Sequence, residues 1–275
     1  MSRFSSKFVH HYFKFIMTDL IRRKERPLIL ITNDDGIQAR GIHALAQTAS
    51  SFGDVVVVAP DAPRSGQSAA ITVNVPLRIT PVNGNSEYRE FSINGTPVDC
   101  VKLAMSALLE HRPDLVLSGI NHGSNSAVNE LYSGTMGGVF EGVMQNIPSV
   151  GFSLCSHKAD ADFSNCRPIV EKIIRSVLSE GLPENIGLNV NIPTGEVKGI
   201  RVCRAARGYW TDEYEHRIDP AGRSYYWLTG RFLNTEPDAE DTDEYHLSRG
   251  YATIVPCTAD RSAIPVFPGF KALEQ

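Results

Sequence analysis

From residue 27 onward the chain alternates short β-branched, apolar runs with stretches whose apolar positions recur every three or four residues. That order predicts an α/β fold, a mostly parallel sheet with helices on both faces. Residues 26–33 (RPLILITN) read as a buried strand that stops at Asp34-Asp35-Gly36. In 41–51, Ile42, Leu45, Ala46 and Ala49 share one helical face; Phe52-Gly53 closes that helix, and 54–59 (DVVVVA) is the second strand of a βαβ unit. A Gly/Ser-rich loop at 60–70 leads into 71–80 (ITVNVPLRIT) and 87–93 (EYREFSI), whose alternation around Asn83-Gly84-Asn85 predicts an antiparallel excursion. Thr96 as N-cap with Pro97 in the first turn opens a helix to about residue 111.

The alternation continues with a strand at 114–118, a helix at 133–146, a strand at 149–154, a helix at 168–180 and a strand at 188–192. Beyond about residue 195 it weakens. The strand-like segments 200–205 and 251–256 flank an aromatic, charged stretch at 209–228, which predicts hairpins reaching off the core. Residues 27–275 therefore read as one domain, with a core at about 27–195 and a hairpin extension and tail at about 196–275.

Composition narrows the class. A chain of 275 residues with 42% hydrophobic and 21% charged residues is that of a globular protein with a sizeable core. No run approaches the roughly 20 apolar residues that span a bilayer, so no membrane crossing is expected. The net charge of -4 gives no overall basic field for a nucleic-acid polymer. The five cysteines are widely spread and lack zinc spacing, so they read as reduced core residues of a cytoplasmic protein. Residues 1–26 differ: they hold seven Lys/Arg against two Asp/Glu, leaving 20 against 29 for the rest. This basic leader lacks the apolar core and cleavage site of a secretory signal, and reads as a mobile segment or a start upstream of the true one at Met17, with a lipid-touching arm as the alternative.

Three strands end in polar, glycine-rich loops, and ligands in open parallel sheets bind at such ends. The loops are Asn33-Asp34-Asp35-Gly36, Arg64-Ser65-Gly66-Gln67-Ser68 and residues 119–125, which include Asn121, His122 and Asn125. Two adjacent carboxylates in one crevice repel unless a cation lies between them or one is protonated. Oxygens from Asp34, Asp35, Ser65 and Asn121 would suit Mg²⁺ or Mn²⁺, with waters completing the shell. A turn with an N-cap is the plainer reading of Asp-Asp-Gly alone; the coincidence of three loops favours a site. Ser133-Gly134-Thr135 at a helix start offers free backbone N–H groups to a phosphate, or is an ordinary cap. No histidine spacing suggests a metal site, and His122 alone stays open as a proton donor. The dinucleotide turn and the P-loop are absent.

These motifs, ITNDDGIQARGIHALA, VVVVAPDAPRSGQSAAITV, INGTPVDCVKLA, PDLVLSGINHGSN and LYSGTMGGVFEG, resemble in order and spacing those of the SurE-type 5'/3'-nucleotidases, the stationary-phase survival proteins. The resemblance covers most of 28–155. It implies a Rossmann-like core, one divalent metal ion per subunit (Mg, Mn or Co), and metal-dependent removal of phosphate from nucleoside 5'- and 3'-monophosphates, with short polyphosphate as a further substrate. It also implies homo-oligomers, dimers or tetramers, that exchange C-terminal elements. Its metal ligands fall on Asp34, Asp35, Ser65 and Asn121, and its phosphate pocket on Asn125 and Ser133-Gly134-Thr135. Gly66 joins these as a substrate-binding position, through the backbone amides of the serine loop. The tail departs from the pattern: Asp260 matches an Asp found in some members, while their nearby His position is Ile264 here.

The expected reaction is attack on phosphorus by a metal-activated water, with Asp34 orienting or deprotonating that water and Asn125 steadying charge on the phosphate oxygens. Two rivals remain at this level: a nucleotide-binding regulator that keeps the metal site with little turnover, and an acid phosphatase of broad specificity. The aromatics Tyr209, Trp210, Tyr225, Tyr226 and Trp227 are read as an interface in preference to a base-stacking surface.

Overall fold

The structure, a computed structural model, describes residues 26–82, 87–158 and 160–262. Residues 1–25 of the leader, the turn at Asn83-Gly84-Asn85 and Ile264 lie outside these residues. The core is a nine-stranded sheet in the order β3-β4-β2-β1-β5-β6-β7-β13-β8. Its central six strands run parallel: β4 (Arg89–Ile93), β2 (Asp54–Pro60), β1 (Leu28–Thr32), β5 (Leu115–His122), β6 (Ser149–Leu154) and β7 (Gly187–Ile192). At one edge β3 (Ile79–Val82) is antiparallel to β4; at the other, β13 (Ala252–Cys257) is antiparallel to β7 and carries β8 (Ile200–Val202) outside it. The sheet thus continues beyond residue 195, into strands from the tail.

Alternation along the strands divides the core into two faces. Ile29, Ile31, Val55, Val57, Leu115 and Leu117 pack under α1 (Arg40–Ala49) and α4 (Arg167–Glu180), which bury Ile42, Leu45, Ala46 and Ala49 and Ile169, Val170, Ile173, Ile174 and Val177. Leu30, Val56, Val58 and Val116 face α2 (Pro97–Leu103), which brings Cys100 and Val101. Farther along, α3 (Gly134–Met144) buries Met136, Val139, Phe140 and Val143 against β6, β7 and Cys257. Each such fully buried Leu, Ile or Val contributes about 1.5–3 kcal/mol. Glu141, fully buried on α3, is paired with Lys102 of α2 at 2.9 Å.

Local chemistry sets the element ends. Thr96 caps α2 with Pro97 at the first position, as the sequence predicts, and Asp99 completes a reciprocal capping box. The helix then loosens into one π turn over Ala104–Leu108. The expected strand over 71–80 is a difference: only Ile79–Val82 pairs, and the preceding segment leaves Ile71, Val73 and Val75 exposed. Alternation made that segment look like a strand, but a strand needs a partner edge, and β3 meets β4 only from Ile79 onward.

Between β8 and β13 the chain runs out as a two-stranded arm. β9 (Gly208–Thr211) pairs with β12 (Arg231–Asn234), and β10 (Tyr214–Ile218) with β11 (Ser224–Leu228), both antiparallel. Every residue of β10 and β11 is exposed. The cysteines are free, and Cys100, Cys166 and Cys257 are buried.

Candidate active site

From β1 the chain lays β2, then the edge strand β3 and β4 between them on one side, and returns to the other side of β1 as β5, β6 and β7. The direction therefore reverses between β1 and β5, and in open parallel sheets the crevice outside such strand ends is where ligands bind. Asp34 and Asp35 follow β1 directly, and Asn121 and His122 end β5. The β5–β6 register shifts between Ser118 and Asn121, an irregularity of the kind that redirects side chains at a strand end.

Asp34 is the centre of this crevice and is only 4% exposed. Thr135 Oγ1 donates to Asp34 Oδ1 at 2.5 Å. Gly134 lies so close that a Cβ there would stand 2.7 Å from Asp34 Cβ, which explains the glycine at the first position of α3. Ser133 caps that helix by accepting from the Met136 N–H at 3.1 Å. The start of α3 is thus aimed at the aspartates, where its dipole and N–H groups favour negative charge. Asp35 accepts from the His122 backbone N–H at 3.1 Å.

Burial dominates the titration of both carboxyls. It pushes Asp34 up from 3.8 to about 6, with the Asp35 charge adding to the rise, against the hydrogen bonds from Thr135 and the Gly134 N–H. Burial also raises Asp35, against the His122 N–H and the His122 ring. Two carboxyls held this way are relieved either by a nearby positive charge or by a proton on one of them.

The serine loop is fastened beside Asp34. The Arg64 N–H donates to the Asp34 carbonyl at 2.7 Å, and the Ser68 N–H donates to the Tyr132 carbonyl at 3.1 Å. Ser65 and Gly66 are exposed between these ties, and Gly66 adopts φ +74° with open space around it. Asn121 Nδ2 donates to the Gly123 carbonyl at 2.9 Å, which leaves Oδ1 as its oxygen donor for a ligand.

The structure thus brings Asp34, Asp35, Gly134 and Thr135 into direct contact or close charge coupling, with the backbones of residues 64 and 122 against them. Among the described residues no hydrogen bond joins the side chains of Ser65, Asn121 or Asn125 to either aspartate. Asn125 is turned into a buried amide network: its Nδ2 donates to Ser153 Oγ at 2.8 Å, its N–H to Asn191 Oδ1 at 2.8 Å, and its carbonyl accepts from Asn189 Nδ2 at 2.9 Å. The His122 ring stacks on Phe163 with centroids 4.9 Å apart. Asp260 is exposed and accepts from the Ser262 N–H.

Residues the sequence reading missed support this site. Asn189 and Asn191 sit on β7, and their polar repeat within an otherwise apolar strand was the available signal. Asp243, wholly buried, accepts from the N–H groups of Ala127 and Ala206, each at 2.8 Å, and so joins the segment before Ser133 to the root of the arm. Trp210 Nε1 donates to Asn129 Oδ1 at 2.8 Å, a second tie between arm and site.

A doubly wound sheet with adjacent carboxylates, Asp34 buried and Asp35 partly so, and a helix start at its switch point defines an α/β protein of the Rossmann-like kind. The comparisons narrow this. The family model described as Survival protein SurE matches residues 29–212. The 5'-nucleotidase SurE of Phocaeicola vulgatus is 48% identical over 242 residues, covering 88% of this chain and 94% of that protein. The 5'-nucleotidase SurE of Bacteroides fragilis is 45% identical, with 91% and 98% covered. The crystal structure of the SurE protein from Aquifex aeolicus superposes with a TM-score of 0.78 at 37% identity, covering 90% of this chain and 100% of that one. The chain belongs to the SurE family.

Proposed function

We propose that the protein is a metal-dependent nucleotidase that removes phosphate from nucleoside 5'- and 3'-monophosphates and from short polyphosphate. The coarser statement rests on the family: it is a 5'-nucleotidase, a hydrolase of phosphate monoesters. Metal dependence is supported by a single observation, the buried Asp34 carboxyl held between Thr135, Gly134 and Asp35 at the switch point of the sheet, while the 3'-monophosphate and short polyphosphate substrates follow from the family resemblance.

The donor chemistry fits a hard divalent cation. Among the described residues no three His, Cys, Asp or Glu side chains gather to hold an ion. The two carboxylates would therefore be joined by the Ser65 hydroxyl and the Asn121 amide oxygen, an all-oxygen set that leaves room for water and phosphate. Mg²⁺, Mn²⁺ or Co²⁺ would take this place, one per subunit. When bound, the ion supplies Lewis acidity toward a phosphate oxygen and toward water.

The chain's own residues do the rest. The start of α3 and the amides of Gly66 and the serine loop receive the equatorial oxygens of the phosphate. Asp34 orients the attacking water and takes its proton as the bond from phosphorus to the nucleoside oxygen breaks, and the departing oxygen takes a proton from solvent. Asn125, fixed by Ser153, Asn189 and Asn191, fixes the course of the loop that carries Asn121. Positioning and charge stabilisation of this kind dominate phosphoryl transfer.

The exposed aromatic arm supports assembly through a second copy, as a dimer or tetramer, and the free cysteines fit a cytoplasmic protein. Among the described residues no helix is long and apolar enough to cross a membrane. A panel of 5'- and 3'-nucleoside monophosphates, p-nitrophenyl phosphate and tripolyphosphate tests the substrate range. Faster release from nucleotides supports the proposal, and equal rates on p-nitrophenyl phosphate would favour a broad phosphatase.

A further inference from the structure

The serine loop is tied at its near end to the Asp34 carbonyl and to the segment before Ser133, but its far end has another anchor. Asp99, on the first turn of α2 and 3% exposed, reaches across to Thr72. Its Oδ2 accepts from Thr72 Oγ1 at 2.6 Å, and both carboxyl oxygens accept from the Thr72 N–H, at 3.1 and 3.2 Å. The same Oδ2 accepts from the Thr96 N–H at 2.9 Å. The single Thr96 hydroxyl proton goes to the Ala70 carbonyl at 2.7 Å, so the capping pair holds the loop at residues 70 and 72. Gly95 closes the other flank, where a Cβ would stand 2.7 Å from Asp99 Oδ2.

A helix cap needs only the two contacts with Thr96. The contacts with Thr72 span 27 residues and serve the loop instead. We propose that Asp99 is a positioning residue for the reaction, holding the end of the 64–72 loop so that Ser65 and Gly66 stay in register beside Asp34. The proposal rests on the reading of Ser65 as a metal ligand, and its loop-anchoring part stands apart from that reading. Burial opposes ionisation of Asp99, yet the hydrogen bonds from Thr72 and Thr96 together outweigh it and keep the carboxyl below its ordinary range. A charged acceptor makes the stronger hydrogen bond, which suits an anchor.

The sequence hinted at half of this. Thr96 and Asp99 stand at capping-box spacing, but nothing in their spacing reveals that the carboxylate also receives Thr72.

The test compares wild type, Asp99→Asn and Thr72→Val as full-length proteins. Thr72→Val removes the hydroxyl contact and leaves the capping box intact, so it carries the test if Asp99→Asn folds poorly. Two readouts are taken on metal-free protein: hydrogen exchange of the amides at 64–72, and Mn²⁺ binding by calorimetry. The expected result is faster exchange confined to that loop in both variants, with Mn²⁺ affinity lowered roughly 10-fold in Asp99→Asn and less in Thr72→Val, as for other partners that orient metal ligands. Excess Mn²⁺ is expected to restore turnover. Unchanged loop exchange and unchanged Mn²⁺ affinity, with only the unfolding midpoint lowered, would make Asp99 a helix cap and overturn the proposal. Wild-type protein that binds no Mn²⁺ would instead contradict the metal reading, and the exchange result alone would then decide the role of Asp99.

Discussion

Thr135 Oγ1 lies 2.5 Å from Asp34 Oδ1, joining the first turn of α3 to the loop after β1 across 101 residues of chain. This bond opposes the burial that raises the Asp34 carboxyl and engages its Oδ1. Thr135→Val removes the donor and keeps the shape, so turnover should fall about 10-fold or more, while Thr135→Ser should retain most of it. Steady-state rates of the two variants, with circular dichroism to confirm the fold, check this.

Asp34 also sets a pH signature on stability. Its carboxyl titrates at about 6 in the folded protein against 3.8 unfolded, so the fold favours the protonated form. Its contribution is fullest below the unfolded value and is lost as pH rises through about 6. In metal-free protein, Asp34→Asn should therefore be the more stable form at about pH 8, by on the order of 3 kcal/mol, and its advantage should shrink toward about pH 4. Urea unfolding of both proteins across that range measures the difference; an advantage independent of pH would contradict the assignment.

The amide network behind the site gives a third expectation. Asn191, itself wholly buried, accepts at Oδ1 from the Asn125 N–H and, at 3.2 Å, from the partly exposed Ser124 Oγ. Asn191→Val leaves the Asn125 N–H unpaired, at a cost of about 1–3 kcal/mol. Substrate KM should rise as the 121–125 loop loosens. Chemical denaturation together with KM measured at saturating metal reads both effects.

For the arm, Tyr214, Tyr226 and Leu228 share one exposed face of the β10–β11 ribbon, with Tyr214 and Leu228 directly paired. Exposed apolar surface of this extent on a two-stranded ribbon calls for a partner. Tyr226→Glu combined with Leu228→Glu should shift the protein toward the monomer without unfolding its core. Sedimentation velocity distinguishes this from a wild-type protein that is already monomeric, which would remove the arm from any interface.

How far the sequence disclosed all this depends on the range of the interactions. Buried parallel strands such as 54–59 and the helical face of Ile42, Leu45, Ala46 and Ala49 follow from local periodicity, and the structure has both. The three polar loops were legible because each follows a strand, and a parallel sheet brings such ends to one edge. What local pattern does not carry is pairing at a distance. The segment 71–78 alternates like a strand but finds no partner, and β13 returns from the far end of the chain to pair with β7. The bond from Thr135 to Asp34, the reach of Asp99 to Thr72 and the turning of Asn125 toward Ser153 all join residues remote in sequence. Their residue types were visible and their partners were not.

The most direct test of the central claim is phosphate release from a nucleoside 5'-monophosphate by metal-stripped protein, with Mn²⁺, Mg²⁺ or Co²⁺ added back, beside Asp34→Asn under the same conditions. The account predicts no release without metal, recovery on addition, and none from Asp34→Asn at any metal concentration. Full activity in stripped protein, or retained activity in Asp34→Asn, would contradict it.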